Sequence, residues 1–213
     1  MKKLDRIFFF LKRPTRVFVF ILSRIPYFRF LWDTYDYQCR ITLKMWFLHK
    51  ILNFGGNRAT YWPVDYTSKV VNPKNIFAGI DTCPGLMKGC YIQGIGGIYI
   101  DDYTQIAPNV GIISANHDIT DTRKHIKKPV KIGKYCWIGF GAIILPGVEI
   151  GDFTIVAAGS VVTKSFPEGY CVLAGNPAKQ IKTIDKNNCV PYEYKKKYYG
   201  YLSENKFKKR KHS

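Results

Sequence analysis

The chain has 213 residues, of which 46% are hydrophobic, and it carries a formal net charge of +18. This apolar content is enough to bury a core, so it excludes a chain that is disordered throughout. The positive charge is concentrated at the ends. Residues 1–62 hold 12 Lys and Arg against 3 acidic residues, and residues 190–213 hold 8 against 2. Such ends suit a nucleic acid, an anionic membrane surface or an acidic polymer, or form a solvated tail, and charge alone does not choose among these.

The amino-terminal segment, residues 1–62, combines short apolar runs with basic and aromatic residues. The runs at 7–11 (IFFFL) and 17–23 (VFVFILS) are separated by cations, and neither approaches the roughly 20 residues needed to cross a bilayer. We therefore predict a helical, amphipathic segment. Two interpretations stay open. The segment lies in the headgroup region of an anionic leaflet, or it packs against the main domain or a neighbouring subunit.

A period of six residues is the strongest pattern in the chain. Over residues 132–167 the first place of each repeat is always Ile or Val, and small residues predominate at the fifth, which is occupied by Cys136, Ala142, Val148, Thr154, Ser160 and Phe166. A weaker run from residue 76 puts Ile80, Leu86, Ile92 and Ile98 at the fifth place. An α-helix cannot use a period of six, because residues six apart do not share a face, and a plain strand alternates with a period of two.

The period of six predicts short strands separated by corners, three of which complete one coil of a prism. First-place side chains point inward, and residues 18 apart stack at the ordinary strand spacing of about 4.8 Å. We predict an all-β core at residues 63–173, a parallel β-helix with an inserted loop at 118–129, followed by a basic C-terminal extension at 174–213. Gly133, Gly139 and Gly151 mark corners that need a positive φ or a close backbone approach. Asp101 and Asp102 are interpreted as solvated turn residues.

Six cysteines are present, and none forms a CxxC pair. We find no pattern of a secretory signal peptide ahead of them. We therefore predict reduced, mostly buried thiols in a cytoplasmic protein, with no metal cage.

Three stretches carry a family resemblance: SANHD at 114–118, the run from KPVKIG to VVTK at 128–164, and AGNPAKQIK at 174–182. On these stretches, residues 76–182 resemble the hexapeptide-repeat acyltransferase family, in particular its sugar and polysaccharide O-acetyltransferase branch. The resemblance implies a left-handed β-helix that assembles as a homotrimer, with each active site in a groove between two prisms. It also implies acetyl-CoA as the acyl donor and a catalytic base at the position of His117.

The expected chemistry centres on His117. A sugar hydroxyl is a weak nucleophile, and a neutral imidazole can take its proton as the oxygen attacks a thioester carbonyl. His117 stands at the last place of the repeat before the inserted loop, so we expect its ring to reach out of the prism. Asp118 is a candidate to hold the imidazole tautomer. Asn116 is a candidate for the same role or for substrate binding, and His125 is a weaker candidate for the base.

The resemblance also assigns residues to the two substrates. It places Trp137 in the groove for the acceptor and the pantetheine chain. It places Phe140, Ala158, Gly159, Thr163 and Lys164 along the coenzyme arm, and Pro177, Lys179 and Lys182 near the nucleotide phosphates. Small residues let an extended chain approach the backbone, and ammonium groups suit phosphate oxygens. Comparable enzymes often carry Arg where this chain has Lys.

These features predict an O-acetyltransferase that moves an acetyl group from acetyl-CoA to a sugar hydroxyl of a cell-surface polysaccharide or its lipid-linked precursor. We expect a cytoplasmic enzyme, peripheral at the inner face of the cell membrane, with no metal and no nucleic-acid partner. Alternative acceptors are the amine of a nucleotide-linked amino sugar and the hydroxyl of serine.

Two other classes of function stay open. A carbonic anhydrase-like hydratase needs three His ligands around zinc, whereas only His117 and His125 lie in the repeat region, and His49 and His212 lie in the flanking arms. A non-catalytic β-helix scaffold is the other alternative, because one fold hosts many functions.

Overall fold

The computed structural model describes residues 14–35, 37, 39–194, 197 and 199–211. The apolar run at 7–11 lies outside them. Three sheets and one antiparallel hairpin dominate the described residues. In chain order the strands are β1 Lys69–Val71, β2 Ile76–Ala78, β3 Tyr91–Gln93, β4 Ile98–Ile100, β5 Gln105–Ile106, β6 Gly111–Ile113, β7 Ala115–His117, β8 His125–Lys127, β9 Val130–Ile132, β10 Trp137–Ile138, β11 Ile143–Ile144, β12 Glu149–Ile150, β13 Ile155–Val156, β14 Val161–Val162, β15 Cys171–Gly175 and β16 Ala178–Thr183.

The three sheets form the walls of a prism. Face A consists of β1, β3, β6, β11 and β14, face B of β2, β4, β9 and β12, and face C of β5, β10, β13, β15 and β16. From β4 to β14, apart from the hairpin β7–β8, the chain passes from face B to face C to face A in each coil. All pairs within these faces are parallel except β15 with β16. This topology confirms the predicted parallel β-helix.

First-place side chains fill the prism in its C-terminal half. The six residues from this set are at most 2% exposed: Ile132, Ile138, Ile144, Ile150, Val156 and Val162. Ile132 lies opposite Ile150 and Ile144 opposite Val162, each pair 18 positions apart in sequence. The fifth-place residues at 136, 142, 148, 154 and 160 are also buried. The period of six therefore predicted the inward positions of this half correctly.

In the N-terminal half the coils are longer than the predicted 18 residues. Val70 lies opposite Ile92, 22 positions later, and Ile92 lies opposite Ile112, 20 positions later. Ile80 and Leu86 are only half-buried, unlike Ile92. The prediction that these residues share one place in the repeat was wrong, because the turns between β2 and β3 hold extra residues that shift the phase.

Glycine at the second place of the repeat serves close backbone approach. A Cβ on Gly139 would lie 2.7 Å from the backbone nitrogen of Ala158. Positive φ occurs two places later, with values of 55° at Tyr135, 65° at Gly141 and 84° at Gly147. Of the two reasons expected for a second-place glycine, close approach is the one that applies.

Corner acids connect neighbouring coils. Asp102 is 8% exposed, and its Oδ1 accepts a hydrogen bond from the backbone nitrogen of Ile80 at 2.7 Å. The Oδ1 of Asp152 accepts one from the backbone nitrogen of Lys134 at the same distance. The prediction that Asp102 is solvated was wrong, because its carboxylate satisfies a backbone donor of the adjacent coil.

The cysteines are structural. All six are free, and every one except Cys189 is buried. Burial raises the pKa of the Cys136 thiol to about 12, and a thiol that stays protonated is a poor nucleophile. The prediction of mostly buried, free thiols is confirmed.

Short helices flank the prism: α1 Pro14–Leu22, α2 Arg29–Asp33, α3 Leu43–Trp46 and α4 Glu204–Lys211. The Thr42 hydroxyl caps α3 by accepting a hydrogen bond from the Met45 backbone nitrogen, which satisfies one of the free donors of the first turn. Phe28 packs edge-on against Trp46, with ring centroids 5.0 Å apart. Among the described helices none has the length and apolar content to traverse a bilayer.

The C-terminal helix α4 packs against the N-terminal coils of the prism. Phe207 is 3% exposed, and its ring centroid lies 5.5 Å from that of Phe77. Arg210 donates hydrogen bonds to the carbonyls of Pro73 and Lys74. The basic C-terminal segment is therefore anchored to the prism through α4 and is not wholly a solvated tail.

Candidate active site

An antiparallel hairpin carries His117 away from the prism wall. Strands β7 and β8 are inserted between β6 of face A and β9 of face B, and the register pairs Ala115 with Lys127 and His117 with His125. The base of the hairpin is fixed because the backbone nitrogen of Lys128 donates to the carbonyl of Ser114 at 2.9 Å. The Ala115 backbone nitrogen donates to Oε1 of Gln93 in the preceding coil at 2.9 Å. The segment 118–129, predicted as an inserted loop, belongs to this hairpin and its exit.

The imidazole of His117 is exposed and held at one nitrogen. Its Nδ1–H donates a hydrogen bond to the carbonyl oxygen of Thr122 in the hairpin turn. A carbonyl can only accept, so this bond places the proton of the neutral ring on Nδ1 and leaves the lone pair of Nε2 free. The ring is therefore oriented as an outward-facing proton acceptor.

His49 shows the opposite environment. Its side chain is buried, its Nε2 lies 2.8 Å from the carbonyl oxygen of Asn57, and burial lowers its pKa to about 4. A neutral, enclosed imidazole bonded to backbone is a structural element, which leaves His117 and His125 as the exposed imidazoles of the described residues.

Asp118 shapes the hairpin turn and does not hold the imidazole. Its Oδ1 accepts hydrogen bonds from the backbone nitrogen and the hydroxyl of Thr120, at 2.7 and 2.6 Å, and from the backbone nitrogen of Asp121 at 3.2 Å. These bonds lower the pKa of the Asp118 carboxyl, with the Thr120 hydroxyl as the largest cause. The orienting role expected of Asp118 belongs to the Thr122 carbonyl, because the carboxylate is engaged in the turn.

Asn116 lies on the other side of the hairpin from His117. It is exposed and pairs with Ile126, while His117 pairs with His125. Successive residues of a strand point to opposite faces. The expectation that Asn116 holds the imidazole was wrong for this geometric reason. Sequence reasoning also missed Thr122, because it acts through its carbonyl oxygen, which every residue carries.

The predicted coenzyme residues around the start of face A form an open corner. Phe140 is 55% exposed, and its carbonyl accepts a hydrogen bond from the backbone nitrogen of Gly159 at 2.8 Å. Ala158 is exposed, and a Cβ on Gly159 would meet nothing within 4 Å. The turn of the β15–β16 hairpin reaches this corner, because the Gly175 backbone nitrogen lies 3.3 Å from the Ser160 hydroxyl. The corner offers open space against the backbone for an extended ligand.

A row of outward side chains crosses face C. Trp137 is 53% exposed and lies opposite Ile155, which lies opposite Val172, which in turn lies opposite Lys182. Leu173 is fully buried, so its neighbours in β15 point outward, and their partners on β16, including Lys179, share that outer side. The predicted phosphate ligands therefore lie on the same face as the predicted groove tryptophan, and Pro177 forms the exposed turn beside them.

The predicted site residues do not converge within one chain. Phe140, Ala158 and Gly159 lie where the strands of face A begin, whereas the His117 hairpin leaves face A where its strands end. Thr163 and Lys164 are exposed and follow β14 at this second edge. A groove of about 470 Å³ lies on face B, and none of the predicted site residues lines it. One copy thus presents the imidazole and the open corner at opposite edges of one wall.

The described residues contain no ligand cluster for the zinc-dependent hydratase alternative. Across the described ranges, no group of three or more His, Cys, Asp or Glu side chains could hold a metal ion. His212 lies outside those ranges.

A prism of six-residue repeats that carries an exposed imidazole on an inserted hairpin defines the class of the protein. The family described as bacterial transferase hexapeptide, with six repeats, matches residues 129–164. The chain belongs to the hexapeptide-repeat transferase family, and this membership supports a left-handed coil for the β-helix.

Several acetyltransferases are similar to this chain in sequence or structure. The chain is 44% identical over 136 residues to a Saccharomyces cerevisiae protein with a provisional acetyltransferase name, covering 62% of this chain and 65% of that protein. It is 36% identical over 104 residues to galactoside O-acetyltransferase of Lactococcus lactis, covering 47% and 50%. A solved galactoside acetyltransferase in complex with coenzyme A is 30% identical, with a TM-score of 0.50 and coverage of 62% and 70%. The chain thus spans less than two thirds of the length of the first two relatives.

Proposed function

We propose that the chain transfers an acetyl group from acetyl-CoA to a hydroxyl of a sugar acceptor, with Nε2 of His117 as the general base. The observation that carries this proposal is the exposed imidazole whose Nδ1–H is bonded to the Thr122 carbonyl. Nε2 accepts the hydroxyl proton as the oxygen attacks the thioester carbonyl, and the Thr122 carbonyl stabilises the imidazolium that forms. The carbon–sulfur bond then breaks, and the imidazolium gives the proton to the departing thiolate of CoA. The names of the Lactococcus relative and of the coenzyme A complex support the substrates.

The coenzyme is proposed to lie along the corner and onto face C. Exposed Ala158 and Gly159 leave room for the pantetheine chain, and Phe140 offers an apolar surface beside it. Lys179 and Lys182, both exposed on the outer side of face C, supply positive charge for the phosphates. Thr163 and Lys164 are assigned to the coenzyme arm of a neighbouring copy, because they lie at the other edge of face A. Trp137 is assigned to the groove for the acceptor.

The assay that tests this function measures free CoA released from acetyl-CoA with defined oligosaccharide acceptors, together with acetyl groups gained by the sugar. An N-acetyltransferase of a nucleotide-linked amino sugar or a serine O-acetyltransferase would release CoA only with its own acceptor. A scaffold would release none with any acceptor.

We further propose that the site is completed between copies of a homotrimer. Since the imidazole and the coenzyme corner lie at opposite edges of face A, a groove between two prisms would bring His117 of one copy to the corner of the next. This proposal predicts complementation between two inactive variants. His117→Ala removes the base, and Ala158→Trp blocks the open corner with an indole ring.

Co-expression of these two variants should restore activity at about one site in four, because a random trimer pairs an intact base with an intact corner at that frequency. The measurement is the specific rate of acetyl transfer by the mixed oligomers, with each variant expressed alone as the control. If the mixture stays as inactive as its parents, the site lies within one copy and the shared groove is wrong.

An exposed apolar stripe on the amino-terminal arm supports contact with an anionic membrane, where a lipid-linked glycan would be found. Phe18, Ile21 and Ile25 are 56%, 63% and 50% exposed at a spacing of three and four residues, which places them along one side of α1 and its following turn. Arg24 and Arg29 are exposed beside them. This pairing of apolar and cationic groups is typical of helices that lie in a headgroup region.

Replacing Phe18, Ile21 and Ile25 together by serine should lower flotation with anionic liposomes at least about tenfold, because the apolar area available for insertion is lost. The matched control replaces Ile181 and Val190 by serine. These two residues lie outside the amino-terminal segment and are 65% and 76% exposed. Raised salt should also weaken flotation of the unchanged protein. Equal flotation of the stripe variant and the control would reject membrane contact. The amino-terminal segment would then serve to pack against the prism or a neighbouring subunit.

A further inference from the structure

Two imidazole rings face one another across the hairpin. His117 and His125 lie directly opposite on β7 and β8, and their ring centroids are 4.5 Å apart with an interplanar angle of 42°. Both side chains are exposed. Cross-strand neighbours on one face of an antiparallel pair hold their Cβ atoms about 5 Å apart, so the proximity of the rings is set by the backbone.

The hydrogen bonding of His117 suits a metal ligand as well as a base. Metal-ligating histidines donate their second ring N–H to a carbonyl or carboxylate, which fixes the tautomer and the ring orientation. The Nδ1–H of His117 makes such a bond to the Thr122 carbonyl, so the Nε2 lone pair is available. The turn that supplies the carbonyl is itself braced by the Asp118 carboxylate.

The spacing of the rings also fits. Imidazole nitrogens bind Zn²⁺ at about 2.0–2.1 Å in tetrahedral geometry, which places two ligating nitrogens about 3.4 Å apart. The ring centroids of His117 and His125 lie 4.5 Å apart, a distance of the same order as this separation.

The charges around the pair limit its affinity. Arg123 and Lys124 are paired with Asp121, at 2.8 and 3.4 Å, which offsets their repulsion of a cation. Lys127 follows His125 at the same side of β8 and is exposed, so it weakens cation binding. With no third ligand among the described residues, water would complete the coordination, and exchange would be fast.

We propose that His117 and His125 form a two-imidazole site for Zn²⁺, Ni²⁺ or Cu²⁺, the divalent ions that imidazole ligands favour. A bound ion takes the Nε2 lone pair of His117, which cannot then accept a proton. Metal binding is therefore inhibitory. The binding site stands on the geometry of the hairpin alone, whereas the inhibition rests on the proposed function.

The binding test titrates ZnCl₂ into the full-length, untagged protein by calorimetry at neutral pH. We expect one ion per chain and a loss of affinity of at least about tenfold in either His125→Ala or His117→Ala, because each removes one of two ligands. Ile126→Ala, on the opposite face of the same strand, is the matched control and should bind as the unchanged protein does. Equal affinity of His125→Ala and Ile126→Ala would overturn the site.

A second measurement separates this inference from the proposed function. Each protein is assayed against its own rate in metal-free buffer. Micromolar Zn²⁺ should inhibit the unchanged protein, and the Zn²⁺ concentration that halves the rate should be at least about tenfold higher for His125→Ala. Zinc binding that needs both imidazoles, in a protein that transfers no acetyl group, would retain the site and reject the function. Active protein that zinc inhibits equally with and without His125 would retain the function and reject the site.

Discussion

Replacing His117 by alanine should lower the rate of acetyl transfer by at least about 10²-fold, the usual contribution of a positioned general base. The variant loses the imidazole whose Nδ1–H is bonded to the Thr122 carbonyl, while the hydrogen bonds of Asp118 and Asp121 still brace the turn. The side chain is exposed, so the folded structure should persist. Steady-state kinetics at saturating acetyl-CoA measures the effect.

His125→Ala is the matched control for this loss, because it removes the neighbouring exposed imidazole from the same hairpin. Circular dichroism and the thermal midpoint of each variant check that the fold is retained. Should His125→Ala lose as much activity as His117→Ala, the assignment of the base to His117 alone would be wrong. Activity of His117→Ala within a few-fold of the unchanged protein would remove the residue from the chemistry.

Replacing Ile144 by alanine should destabilise the protein by about 2–5 kcal/mol, the typical cost of an Ile-to-Ala change in a packed core. Ile144 is fully buried in the prism and lies between Ile112 and Val162 in the stack of face A. Truncation leaves a cavity that the neighbouring coils cannot close, since their backbones are held by the strand hydrogen bonds.

Ile143 provides a control of identical chemistry one residue away. It lies on the same strand but points outward and is half-buried, so Ile143→Ala should cost about 1 kcal/mol or less. Chemical denaturation at one fixed protein concentration measures both values, because assembly makes stability depend on concentration. Equal losses at the two positions would contradict the inward and outward assignment of this strand.

The fold was predictable where the six-residue repeat is undisturbed. Ile132 and its equivalents point inward as the period requires, because each coil there has 18 residues and the corner glycines permit close stacking. The phase was lost around Ile80 and Leu86, where turns of variable length change the number of residues per coil without a distinctive composition. Extra residues in a turn leave the strands paired in the same way. The spacing of apolar residues along the sequence therefore does not reveal them.

The site was predictable only in part. The SANHD stretch indicated His117, and the structure places this ring outside the prism as expected. The partner of the ring was not predictable, because a backbone carbonyl at Thr122 depends on the shape of the turn. Asp118 adjoins His117 in sequence, yet its carboxylate accepts hydrogen bonds from the amide and the hydroxyl of Thr120.

The resemblance implied a groove between two prisms, but it did not show which edge of face A each predicted site residue occupies. Ala158 and Thr163 are five residues apart, and nothing in that spacing shows that strand β14 places them at opposite edges of face A. The contacts of the amino-terminal and carboxy-terminal segments were not predictable either, because they depend on tertiary packing. Tyr194 stacks on Tyr37 with ring centroids 4.1 Å apart, and this contact joins the two segments that flank the repeats in sequence.

We propose that the exposed imidazole of His117 drives transfer of an acetyl group to a sugar hydroxyl. The most direct measurement follows CoA release and the acetylated sugar together, by mass spectrometry, for the unchanged protein and for His117→Ala. We expect CoA and O-acetylated sugar to form in equal amounts with the unchanged protein and both nearly to vanish in the variant. Transfer that proceeds equally well without the imidazole, or CoA release without an acetylated sugar, would contradict it.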